Sequence, residues 1–168
     1  MANTFELIAS STVGSGGILQ VDFTSIASTY TDLCVKISSR NVSNNYGGFY
    51  MRFNSSSSSY TGRRIKQEGT TASSDTSIEI PLEQSNWTAS TFGNAEIYIP
   101  NYAVSAYKSV SIDAVTENNG TDNRNTLNSW LWSNTAAITS ISFSTFDTGA
   151  PDKFAQHSTF YLYGVKNA

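Results

Sequence analysis

The sequence predicts an all-β fold, an antiparallel and jelly-roll-like β-sandwich of about ten short strands. Three observations predict it. Apolar residues recur at every second position through much of the chain, the period of a strand with one buried face. Clusters of Gly, Asn, Asp and Ser interrupt these runs at intervals of about 8–12 residues or somewhat more, as in sandwiches and barrels. No stretch carries a helical stripe, so nothing could make the crossovers that a parallel sheet requires.

The strands follow in chain order. Leu19, Val21 and Phe23 alternate with Gln20, Asp22 and Thr24, and Leu33, Val35 and Ile37 alternate with Cys34, Lys36 and Ser38. Phe49, Met51 and Phe53 come next, with Tyr50, Arg52 and Asn54 facing the other way. The basic run Gly62-Arg63-Arg64-Ile65-Lys66 reads as the solvated face of one strand. Ile78, Ile80 and Leu82 point inward and Ser77, Glu79, Pro81 and Glu83 outward; Pro81 cannot donate to a ladder, so this strand belongs at an edge. Residues 95–100 repeat the scheme with Ile97 and Ile99, and residues 109–114 with Val110, Ile112 and Ala114. The polar spacing of residues 125–132 suits a strand, as does the pair Ile141 and Phe143. In the last strand Phe160 and Leu162 oppose Tyr161, Tyr163 and Val165, so both faces are apolar and the strand should be central or lie at a subunit contact. The turn Gly14-Ser15-Gly16-Gly17 reads as a hairpin connection. Runs this regular, with breaks this short, place residues 1–168 in a single β-sandwich domain.

Composition narrows the function classes. Only 14% of residues are charged, against roughly 25% in an average domain, and Ser, Thr and Asn fill the gap with roughly a third of the chain. The net charge is −3, so the basic footprint of a nucleic-acid partner is missing. No apolar run approaches the ~20 residues of a membrane-spanning helix, and residues 1–6 lack the pattern of a secretory signal. Four Asn-X-Ser/Thr sequons are the number expected by chance in so polar a chain. Cys34 is alone and sits in a strand, where a small buried hydrophobe is expected; everything fits folding in a reducing cytoplasm.

The residues that could carry chemistry are few, and the chain reads as a binding or structural protein, not an enzyme. His157, the sole histidine, leaves neither a His-based metal site nor a triad, and it reads as a solvent-facing polar residue. The strand-borne acids Glu79, Glu83, Glu96 and Asp113 alternate with core residues and should point to solvent, away from any shared cleft wall. The Gly14–Gly17 turn lacks the Lys-Ser/Thr and the following helix of a phosphate loop. Asp122–Asn125 does not match a calcium loop. No cofactor and no metal is expected. Aromatic residues away from the inward faces say more: Tyr46, Trp87 and Tyr102 in turns, Tyr50 and Tyr98 on outward faces, and Tyr161 and Tyr163 in the last strand. Aromatics in such places mark contact patches or sugar platforms. Trp87, Tyr102, Tyr161 and Tyr163 form the candidate interaction surface.

Several stretches, taken together, resemble a family of small virion structural proteins of tailed phages, notably those infecting cyanobacteria. They are the opening Met1–Gly17, Thr31–Lys36, Met51–Asn54, Glu96–Tyr102, Trp132–Ile141 and the ending Phe160–Val165, in the same order and over nearly the whole chain. The resemblance implies a jelly-roll-like subunit of the virion, made in the host cytoplasm. It would serve as a capsid decoration (cement) protein, or as a tail, neck or fibre component. Its partners would be further copies of itself, with a trimer matching local three-fold points, and the major capsid protein or other virion proteins. From the aromatics alone, the other class is a carbohydrate-binding module that reads host glycans through Trp87 or Tyr102.

Overall fold

The computed structural model describes residues 4–44, 47–146 and 152–166, and twelve strands among them form two antiparallel sheets. In chain order they are β1 (Phe5–Thr12), β2 (Gln20–Phe23), β3 (Asp32–Ser39), β4 (Gly48–Phe53), β5 (Tyr60–Glu68) and β6 (Thr71–Asp75). There follow β7 (Ile80–Pro81), β8 (Gly93–Ile99), β9 (Lys108–Glu117), β10 (Asn123–Trp132), β11 (Ile141–Thr145) and β12 (Thr159–Val165). One sheet has eight strands in the order β1-β12-β3-β8-β9-β10-β5-β6, and the other has four in the order β2-β11-β4-β7. The pairings are nested: β1 with β12, β2 with β11, β3 with β8 and β4 with β7, so the chain closes on itself like one long folded hairpin. Two further hairpins, β5–β6 and β9–β10, join edge to edge and extend the larger sheet beyond β8.

The core is the seam between the sheets. The predicted inward residues are there: Leu33, Val35, Phe49, Phe53, Ile97, Ile99, Phe160 and Leu162 are all fully buried. Aromatic rings stitch the layers together. Phe143 of β11 lies 5.6 Å from Phe160 of β12, and Phe53 of β4 meets Trp132 of β10 at 5.5 Å. Each contact adds edge-to-face or tilted packing to the burial of apolar area.

Twelve strands stand where about ten were expected, and the two additions share a physical cause. β1 and β6 are the edges of the eight-stranded sheet. Neither has a fully buried residue, so neither shows a period-two pattern in sequence. The strand around Pro81 shrinks to two paired residues, and it does lie at an edge, of the smaller sheet. Gly14–Gly17 is a turn, closed by a bond from the Gly17 N–H to the Gly14 carbonyl, but it is not a hairpin: it carries the chain from β1 in one sheet to β2 in the other. Leu19 is left half-exposed just before β2.

Four outward assignments are corrected. Pro81 is buried together with Ile80. Glu83 is fully buried and Glu79 is half-buried, and loss of water pushes both carboxyls above the usual carboxylate range. Arg64 faces inward at 8% exposure, while Arg63 and Ile65 beside it face out. Its guanidinium is compensated by a forked pair of bonds to Asp75, 3.1 and 2.8 Å long.

Candidate functional site

The outward face of the eight-stranded sheet is the surface this architecture presents, and strand register sets what stands on it. One row of side chains runs across the sheet as Ser10, Tyr161, Lys36, Glu96, Asp113, Leu127, Ile65 and Ser74. The row beside it reads Leu7, Tyr163, Cys34, Tyr98, Ser111, Ser129 and Arg63. The face therefore divides into an apolar end over β1 and β12, a charged middle, and a mixed region over β9, β10 and β5.

At the apolar end Tyr161 and Tyr163 stack with ring centres 6.5 Å apart, and Phe5 packs edge-on against Tyr163 at 6.4 Å. Phe5 is 49% exposed, Leu7 53% and Tyr161 36%, a cluster too large to be stray surface apolar residues. Neither tyrosine hydroxyl has a hydrogen-bond partner among the described residues. Glu6, between Phe5 and Leu7, points to the opposite face of the sheet and pairs there with Lys166 at 2.8 Å, whose ammonium lies over the Tyr30 ring. The sequence singled out the two tyrosines and missed Phe5 and Leu7. The signal that could have found them is the apolar content of residues 5–8 in front of a turn, which marks an edge strand whose Ile8 and Ala9 pack on the core while Phe5 and Leu7 stay exposed.

Trp87 sits elsewhere, on the loop between β7 and β8. Arg40 builds that loop. Its buried guanidinium donates to the carbonyls of Ser85 (2.9 Å), Trp87 (3.0 Å), Thr88 (2.9 Å) and Thr91 (2.7 Å), and to the Thr91 hydroxyl. Glu83 lies beneath, accepting from the Thr91 hydroxyl at 3.3 Å. The Trp87 ring is half-buried with the Arg124 guanidinium 5.7 Å from its centre, and it walls a recess of about 390 Å³. One face of the ring is thus taken by a cation.

Tyr102 is no surface residue. It is fully buried, its hydroxyl donates to the Ala27 carbonyl, and burial raises its pKa. A turn position suggested exposure, but here the turn folds back over the end of the core and the ring plugs it, with the Ile138 N–H donating to the Tyr102 carbonyl. The candidate surface therefore splits in three: Tyr161 and Tyr163 together, Trp87 apart from them, and Tyr102 inside. Tyr50 and Tyr98 are engaged within the chain. Tyr50 packs on Phe146 at 4.3 Å, and Tyr98 donates to Asp32 at 2.5 Å, a bond that, with burial, raises its phenol to about 12. Tyr46 lies outside the described residues.

The groups capable of chemistry are scattered. His157 is exposed, with a left-handed backbone (φ 72°). Cys34 is 1% exposed, and burial raises its thiol to about 11. Among the described residues no three His, Cys, Asp or Glu side chains gather closely enough to hold a metal ion. Compared with protein-family models and with characterised proteins, the chain matches none.

Proposed function

We propose that the chain is a structural protein of a tailed-phage virion, acting as a capsid decoration protein that assembles by protein–protein contacts with no chemical step. The observation that carries this reading is the exposed cluster of Phe5, Leu7, Tyr161 and Tyr163 on the outward face of β1 and β12. Interface centres are apolar and rich in aromatics, as this cluster is. Two tyrosine hydroxyls without partners would gain them against a second protein surface. The nested strand pairs agree with the jelly-roll reading: without the β5–β6 and β9–β10 hairpins, eight strands remain in two four-stranded sheets, each made of strands from both halves of the chain. The resemblance of the sequence to phage virion proteins supplies the particle, and the symmetry of shells supplies the expectation of a homo-oligomer, a trimer at three-fold points.

The test is sedimentation over a range of concentrations, with imaging of labelled subunits on virions. Self-association is expected for the wild type and should be weakened by Tyr161→Ser/Tyr163→Ser with strand content unchanged. A wild type that stays monomeric at high concentration and fails to bind capsids would overturn the proposal.

A further inference from the structure

The outward face of the large sheet carries a groove of about 920 Å³ over the two added hairpins, from β8 across β9, β10 and β5 to the end of β6. That is the size of a ligand site, and at ~4.8 Å per strand it spans about 19 Å. Of the aromatics noted in the sequence only Tyr98 lines it; Trp87, Tyr102, Tyr161 and Tyr163 do not.

The groove's own chemistry narrows the occupant. Its floor is made of β9, β10 and β5, each paired on both sides, so no backbone N–H or carbonyl is free to pair with an incoming peptide strand. A ligand must be met by side chains. In the middle, Leu127 and Ile65 stand directly opposite each other in register, 61% and 66% exposed, and form an aliphatic platform. Around it stand short hydroxyls, Ser111 and Ser129, with the carboxylate of Asp113 on one flank and the guanidinium of Arg63 on the other. The other charges are spoken for: Glu96 pairs with Lys36 at 2.8 Å, and Arg64 with Asp75 at 2.8 Å. One charge of each sign remains, so neither an anion nor a cation is favoured. A ligand that offers an apolar face of C–H groups, a rim of hydroxyls that both donate and accept, and no charge is a neutral carbohydrate.

We infer that this groove binds a neutral oligosaccharide, its ring faces on Leu127 and Ile65 and its hydroxyls bridged between Asp113 and Arg63. The site is separate from the tyrosine cluster, so the two readings can fail independently. If both hold, the subunit has one surface for the particle and another for a glycan.

The experiment is NMR titration of the intact, isotope-labelled chain with linear hexasaccharides of α- and β-linked glucose, mannose and N-acetylglucosamine, with oligogalacturonate and a heparin hexasaccharide as anionic comparisons. At least one neutral sugar should bind with a Kd below about 1 mM, moving resonances of β9, β10 and β5. Asp113→Ala and Arg63→Ala should each weaken it at least tenfold without changing the melting temperature or sedimentation. Tyr161→Ser/Tyr163→Ser should leave sugar binding intact. The inference is overturned if no neutral sugar binds, if the shifts fall elsewhere, or if the anionic sugars bind better. It is also overturned if Leu127→Lys abolishes self-association, which would make the groove a contact between copies.

Discussion

Arg40 offers the sharpest test of how the loop that carries Trp87 is held. Replacing it by Met keeps the buried aliphatic stem and removes the guanidinium. Four carbonyls, those of Ser85, Trp87, Thr88 and Thr91, then lose a charged donor. Hydrogen bonds to charged groups contribute about 1.5–3 kcal/mol each, but simple addition overshoots. Ser85, Asn86, Ala89 and Ser90 are exposed, so water can reach much of the loop once it loosens. Glu83 cannot be rescued that way: it is fully buried, and Arg40 is among the charges that favour its ionised form. Stranding such a group is worth about 3–5 kcal/mol when a buried partner is removed, and we expect Arg40→Met to cost about 3–4 kcal/mol. Arg40→Lys should recover less than half, because one ammonium cannot span four carbonyls in a plane. Urea unfolding followed by circular dichroism gives the stability, and tryptophan emission gives the loop. Trp130 and Trp132 are buried within the core, so a red shift in the native state would report Trp87. A loss under about 1 kcal/mol with unchanged emission would refute the role given to Arg40.

Three further outcomes follow from the same structure. Ile97 and Ile112 are opposed in register and buried, so Ile97→Ala or Ile112→Ala should each cost about 2–5 kcal/mol in urea unfolding, and the double mutant should depart from additivity because they share one cavity. The Arg64 guanidinium holds the Asp75 carboxyl at about 2, below its ordinary 3.8, so the pair's contribution is fully present above pH 3.8 and is lost as pH falls towards 2. Asp75 is partly solvated, so that contribution should be under about 1 kcal/mol, and stability in Arg64→Met should lack this acid-sensitive component. The Cys34 thiol, raised to about 11 and buried, should resist a disulfide reagent at pH 8 in the folded protein and react at once in urea.

How much was legible in the sequence depends on whether a strand has one dry face. β8 and β9 alternate almost without exception between buried and exposed, and their inward isoleucines and valine could be read directly. β10 alternates as strictly in space, yet its inward positions include Arg124, Thr126 and Asn128, and Leu127 faces out. A rule that sorts residues by polarity must misread such a strand. The same limit hid Glu83 and Arg64. A buried charge is tolerated only because its partner is near, and Arg40 reaches its carbonyls from 45 or more residues away in sequence. Tyr102 fails for the complementary reason, since a turn signal fixes the backbone locally and cannot say that the turn closes over a core.

Composition has a consequence for the outward face that periodicity alone does not reveal. Where Ser, Thr and Asn fill the solvent positions, each charge or large apolar side chain on that surface stands out against a neutral background. A charged residue on a crowded ionic surface finds a neighbour by default, whereas here Lys36 and Glu96 are matched and Asp113, directly opposite Glu96 in register, has no ion-pair partner among the described residues. Two carboxylates opposed across a ladder are unfavourable. Asp113 therefore sits where the sheet alone would select against it, beside the exposed Leu127. Two costs at neighbouring positions, beside the short hydroxyls of Ser111 and Ser129, are better explained by something that lies on that face than by the stability of the sheet.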